Sequence, residues 1–296
     1  MVFTHAVDFL EDFFLSIGPG DEPKFPHVPA TLRSVWYLTP RQHAMETVAY
    51  VTIFAPMCYV ALKQALNHSK WKNQRPIRAP TALDGVLGAI TMSSFLGVCY
   101  YKAHSVNGWR LLYMFQPCHV MTFTLAILCI ARGRTANFIF QVYVAMTWSS
   151  DCALAFPDTS DYIYIVHDSS YSVLLARGDI YNFYIEHYLM LVIPVLLCVS
   201  GRYEYIGSPS WILFGFTVIA LYHAIVLQLA CLVTEVNIAT LMSPPNVLRS
   251  LGEWYRPAQY GMCFVLHWVH NLSITGFVAI ASSSKVLKPL LSPKQH

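Results

Sequence analysis

Cys118 and His119 stand side by side after Pro117, in a stretch that is otherwise almost wholly apolar. Later apolar stretches carry His187, His223, His267 and His270. Asp151 lies near the end of another, and Glu235 directly follows one. A thiol within reach of an imidazole is the minimal nucleophile and base for acyl transfer. The imidazole removes the thiol proton, the sulfur attacks an ester carbonyl, and the imidazole protonates the leaving group. Several histidines with an aspartate are also raw material for a zinc site. Both chemistries require side chains from distant segments to meet, so the segments that carry them decide what is possible.

Of 296 residues, 55% are hydrophobic and only 12% are charged. Soluble domains carry about 25% charged residues. The missing charge is absent from long stretches and gathered between them, the pattern of helices that cross a bilayer. The spacing predicts spans over 44–62, 83–101, 111–131, 136–156, 181–199, 210–233 and 258–281. Pro194 interrupts the fifth, as membrane helices tolerate when neighbours satisfy the freed backbone groups. The fold class is therefore all-α. It is a polytopic bundle of seven transmembrane helices, with six as the alternative count, preceded by a short N-terminal interfacial helix. Residues 1–40 form the N-terminal segment, 41–283 the membrane bundle and 284–296 a tail.

Residues 1–17 lack a positively charged start and carry Asp8, Glu11 and Asp12, so no cleavable signal peptide is expected there. Val2, Phe3, Val7, Phe9, Leu10, Phe13 and Phe14 can line one side of an interfacial helix. Pro19, Pro23, Pro26 and Pro29 make 18–30 irregular. The net charge is +3 without a basic cluster, which argues against nucleic-acid binding. Cys58, Cys99, Cys118, Cys129, Cys152, Cys198, Cys231 and Cys263 all fall within the predicted spans, which argues against a disulfide framework.

Loop charge sets the expected orientation. Lys63, Lys70, Lys72, Arg75 and Arg78 fill the 63–80 loop without an acidic residue, a cytosolic signal. Alternation places Arg132, Arg134, Arg202 and the Lys285, Lys288 and Lys294 tail on the same side. The N-terminus and the 157–180 loop, with Asp158, Asp161, Asp168 and Asp179, go to the lumenal or outer side.

Ionisable groups inside spans are unfavourable in lipid and are functional candidates by default. Cys118 and His187 lie about 9–10 Å deep from the same face at 1.5 Å per helical residue. His119 sits about 100° around the helix from Cys118, away from a shared partner. His187, from another helix at equal depth, is the better base for Cys118, and no carboxylate is assigned to orient it. Asp151, His223, Glu235, His267 and His270 place further polar groups in the same half of the bilayer. Beyond the sixth span, Glu235, Asn237, Arg249 and Arg256 lie in a segment that could cap a cavity mouth, with Arg249 or Arg256 against a lipid phosphate.

The motifs Phe-Gln-Pro-Cys-His-Val-Met-Thr at 115–122 and Ile-Tyr-Asn-Phe-Tyr-Ile-Glu-His-Tyr at 180–188 are similar to those of the transmembrane protein 164 family. So are Tyr-His-Ala-Ile-Val-Leu-Gln at 222–228, Leu-Val-Thr-Glu-Val-Asn at 232–237 and Trp-Tyr-Arg at 254–256. The resemblance runs from about residue 40 to about residue 280. Gln116 and Glu186 depart from it, where Asn and Gln are expected. It implies a lipid acyltransferase that moves an arachidonoyl chain from a phospholipid to a lyso ether-phosphatidylethanolamine, distantly related to androgen-induced-gene membrane hydrolases. It makes Cys118 the nucleophile and His187 its base. His119, Thr122, Asp151, His223, Glu235, Asn237, Arg256 and His270 become supporting or substrate-binding candidates, with His119, Thr122 and His270 as possible oxyanion donors. The partners implied are phospholipid and lysophospholipid in the bilayer, in an endomembrane such as the endoplasmic reticulum, and no cofactor is implied. The oligomeric state is not legible.

Two other readings compete. A zinc-dependent intramembrane hydrolase would ligate metal through His187, His223, His267, His270 and Asp151. The only close pair, however, is at i, i+3, and no HExxH occurs, so no metal site is expected. A seven-helix receptor or transporter would explain buried polar groups without catalysis, yet no paired helix interruption marks two halves. The charge asymmetry makes a direct prediction. Epitope tags in 63–80 should be labelled after selective permeabilisation of the plasma membrane, and tags in 157–180 only after all membranes are opened. A lumenal 63–80 loop would reverse the assignment.

Overall fold

The computed structural model describes residues 2–20, 33–74, 76–104, 106–157 and 170–283. Among these the regular structure is helical, and one isolated antiparallel bridge joins Arg33 to Val236. Helix α1 (Val2–Ile17) precedes α2 (Pro40–Asn67), the one-turn α3 (Ser69–Lys72) and α4 (Ala82–Ala103). A 3-10 segment, Val106–Phe115, leads into α5 (Pro117–Ile130), α6 (Gly133–Met146), α7 (Trp148–Ala155) and α8 (Ser170–Val199). Helix α9 (Pro209–Leu221) passes through a π turn (Tyr222–Leu227) into α10 (Gln228–Thr234), and α11 (Tyr255–Ser283) follows.

Five helical stretches are long and apolar enough to cross a membrane: Pro40–Asn67, Ala82–Ala103, Leu174–Val199, Pro209–Thr234 and Val247–Ile280. Large apolar side chains such as Ile53, Leu96, Val192 and Val265 stay exposed on their outer faces. In water such a surface would aggregate, whereas lipid solvates it. The chain is an integral, multi-pass membrane protein.

The third and fourth predicted spans are not single long helices. In 111–131, Pro117 has no N–H to donate, and its ring holds Gln116 extended at ψ 140°, so the α-helix starts only at Pro117. In 136–156, the chain tightens at Thr147, where the amides of Thr147 and Ser150 bond three residues back. The fifth span is longer than predicted. α8 begins at Ser170, within the expected 157–180 loop, and Asp179 there forms a buried ion pair with Arg110, 2.8 Å apart. Asp158, Asp161, Asp168, Arg75, Pro23, Pro26, Pro29 and the Lys285, Lys288 and Lys294 tail lie outside the described residues.

α1 is docked on the bundle. Val7 and Phe14 are buried with Ala44, Leu227 and Leu232, while Phe9 and Phe13 remain exposed. Arg41 of α2 holds Asp8 at 3.0 Å and Glu11 at 2.7 Å. Small residues allow close approach elsewhere, because a side chain at Gly215 of α9 would collide with Ala145 of α6. α5 packs between α4 and α8, and α7 packs on α8 and α11.

At one end of the bundle Arg202 donates to the carbonyls of Arg78 (2.7 Å) and Ala131 (2.8 Å), so three basic turns share that end. A second buried cation, Arg256, ties α2 to α10 and α11. It lies 2.7 Å from His43 Nδ1, 3.1 Å from Gln228 Oε1 and 3.1 Å from Glu46 Oε2, and it is fully buried. Arg256→Ala would strand Glu46 in the interior. Losing one partner of a buried pair destabilises by about 3–5 kcal/mol. Detergent-solubilised Arg256→Ala should therefore melt at clearly lower temperature than wild type. An unchanged melting temperature would contradict the structural role.

Candidate active site

Pro117 sets the position of Cys118. The first turn of a helix has no intrahelical acceptors for its N–H groups, so proline fits there. Tyr222, on the π turn, donates to the carbonyl of Phe115 at 2.6 Å and fixes the entry to α5. Cys118 and His119 then occupy the first turn, beside the positive end of the helix dipole.

The two residues pair with two adjacent residues of α8. The Cys118 thiol interacts electrostatically with the side chains of His187 and His119. Its best-aligned contact is Gln116 Oε1 at 3.9 Å, near the outer limit for sulfur. His187 Nδ1 is 2.7 Å from the carbonyl of Phe183. A carbonyl only accepts, so Nδ1 carries a proton and Nε2 is left to take one from the thiol. His119 Nδ1 is 3.0 Å from Glu186 Oε1, and Thr122 Oγ1 is 2.6 Å from the same oxygen and 2.9 Å from the carbonyl of Cys118. Glu186 is fully buried, and His119 and His187 nearly so. His119 Nε2 has no well-formed hydrogen bond among the described residues.

Glu186 is missing from the sequence-based candidates. It appears there only as a departure from an expected Gln, although the rule that singles out His187 in the same span applies to it equally. His187 is oriented by the Phe183 carbonyl, and the carboxylate of Glu186 orients the neighbouring His119. His119 turns to Glu186, a different partner from that of Cys118, as its position about 100° around the helix leads one to expect.

A family model described as the TMEM164 family matches residues 37–273. The chain belongs to the TMEM164 family. It is 26% identical over 269 residues to the transmembrane protein 164 homolog of Dictyostelium discoideum, covering 86% of this chain and 90% of that one. No solved structure matches it.

The remaining candidates separate into other places. His270 and Asp151 bond each other through Nδ1 and Oδ2, and His270 Nε2 is 2.8 Å from Thr147 Oγ1. His223 Nδ1 lies 3.2 Å from the Tyr260 hydroxyl. His267 Nε2 donates to the carbonyl of Ile212 at 2.8 Å, which makes it a helix-to-helix strut. Arg256 is occupied by Glu46, Gln228 and His43, which corrects the expectation of a contact with lipid phosphate. Asn237 closes its own loop, accepting from the Met242 amide at 2.9 Å and donating to Ser243 Oγ at 2.8 Å. Glu235 is buried at a left-handed turn (φ 55°), and its carbonyl accepts from Ser34. Of the five groups proposed for zinc only His270 and Asp151 meet, and no cluster of three or more His, Cys, Asp or Glu that could hold a metal occurs among the described residues.

Proposed function

We propose that the protein is a membrane-embedded acyltransferase. It moves a polyunsaturated, arachidonoyl-type chain from a phospholipid to a lyso ether-phospholipid through a thioester on Cys118. The observation that carries this reading is the bond from His119 Nδ1 to Glu186 Oε1 at 3.0 Å, which sets their chain neighbours Cys118 and His187, electrostatically coupled, on two packed helices. His187 Nε2 takes the thiol proton, and Sγ bonds to the donor ester carbonyl carbon. The carbon–oxygen bond to the donor breaks, and the departing alkoxide takes the proton from His187. In the second half, an acceptor hydroxyl gives its proton to His187 and its oxygen attacks the thioester. The carbon–sulfur bond breaks and the proton returns to sulfur.

Each tetrahedral intermediate develops negative charge on oxygen, which preorganised donors stabilise. His119, held through Nδ1 by Glu186, presents Nε2 for that role. Thr122 is spent on Glu186 and the Cys118 carbonyl, and His270 on Asp151 and Thr147. The bilayer delivers both lipids laterally and limits competition from water.

The test is turnover of a labelled phospholipid and a lysophospholipid by purified protein in vesicles. Cys118→Ala and His187→Ala should each lower the rate by about 10²–10⁴-fold, since nucleophile and base act as a unit. Cys118→Ser should be nearly as inactive, because a serine hydroxyl is far less acidic. Glu186→Gln keeps an acceptor for His119 but removes the charge, and should fall between these variants and wild type. Wild-type turnover in Cys118→Ala would refute the covalent route. Release of free fatty acid without transfer to the lysolipid would make the protein a hydrolase.

A further inference from the structure

A cavity of about 530 Å³ opens on the flank of the bundle between α7, α8 and α11. Its walls include Leu191, Val269, Ile274 and Phe277, and its polar end is Asp151 with His270. The size lies within the range of about 300–1,000 Å³ typical of small-ligand sites, which are mostly apolar with a few placed polar groups. Val269 and Phe277 are exposed on the outer surface, so the cavity faces the lipid.

The carboxylate of Asp151 is half-used. Oδ2 bonds His270 Nδ1, whose ring is held from behind by Thr147. Oδ1 has no hydrogen bond among the described residues, and the side chain is 49% exposed. A carboxylate oxygen in an apolar setting is unfavourable unless a donor meets it. Aliphatic walls with an acceptor at one end fit an aliphatic chain ending in a donor.

We infer that this cavity seats a single-chain amphiphile whose hydroxyl or ammonium donates to Asp151. An anionic head without a donor is repelled by the same carboxylate. The seat lies close to the thiol. Leu191 is one turn beyond His187 on α8, about 6 Å along the axis. Ser149 and Ser150 of α7 contact Met121 and Met190, three residues past Cys118 and His187, at 3.7 and 3.8 Å. Helix α7 thus touches α5 and α8 near the nucleophile and also lines the cavity. The inference deepens the acyltransfer reading by naming where a lysolipid can wait, but binding itself does not require Cys118 to react.

The experiment uses the full chain carrying Cys118→Ala in nanodiscs, so that no probe is consumed. Three single-chain lipids with a photoactivatable group on the chain are compared. They are a monoacylglycerol (hydroxyls), a lysophosphatidylethanolamine (hydroxyl and ammonium) and a fatty-acid methyl ester (no donor). Cross-links from at least one donor lipid should concentrate in residues 148–156 and 266–277, and labelling by both identifies the hydroxyl as sufficient. Asp151→Leu should weaken that labelling about tenfold, the effect of one hydrogen bond to a charged group, and leave the methyl ester unchanged. Val269→Trp, at a lipid-facing position, should fill the cavity and abolish the concentrated labelling. Equal labelling by the methyl ester, or insensitivity to both substitutions, would overturn the inference. Failure here leaves the thioester reading standing, and loss of thioester chemistry leaves this binding result standing.

Discussion

An ionisable side chain inside a bilayer must find its partner within the protein, and that constraint organises this bundle. Hydrocarbon supplies neither donors nor acceptors, so each buried charge or imidazole dictates which helices touch. Arg256 draws α2, α10 and α11 together through Glu46, Gln228 and His43. Arg110 and Asp179 join the approach to α5 with α8. Glu186 binds His119 and Thr122, and so locks α8 to the first turn of α5. The first network is structural. The last sets Cys118 and His187, the chain neighbours of His119 and Glu186, on the two helices that satisfying a carboxylate locks together.

Chemistry follows from where irregular backbone falls. Pro117 starts a helix inside the bundle, which places Cys118 and His119 in a first turn instead of mid-helix. The π turn at Tyr222–Leu227 rotates Tyr222 onto Phe115, one residue before the extended Gln116. π turns recur at functional sites because they re-aim side chains that a regular helix would misplace. The break at Thr147 does similar work, since Thr147 backs His270 while the following turn carries Asp151.

Much of this was legible from residue types and spacing. Hydropathy located the long helices, and the family resemblance from about residue 40 onward agrees with the match over 37–273. Equal depth in two spans pointed to Cys118 and His187, whose helices α5 and α8 pack together. Depth alone did not say which of Asp151, His223, His267 and His270 face the thiol, because it specifies height in the bilayer but not direction around a helix axis. His267 and His223 face neighbouring helices, and Arg256 finds a carboxylate that lies 210 positions earlier in the chain. The breaks at Pro117 and Thr147 are backbone events. The first could have been read from proline's missing donor, whereas Thr147 carries no sequence signal of a break.

The central claim is a covalent acyl–sulfur intermediate, and intact-protein mass spectrometry observes it directly. Purified protein is incubated with a phospholipid bearing an isotopically labelled polyunsaturated chain, without acceptor. The account predicts a mass increase of one acyl group, located on Cys118, removed by hydroxylamine and discharged by added lysophospholipid. The same increase should be absent from Cys118→Ala. Full turnover with no adduct at Cys118, or an adduct that persists in Cys118→Ala, would contradict it.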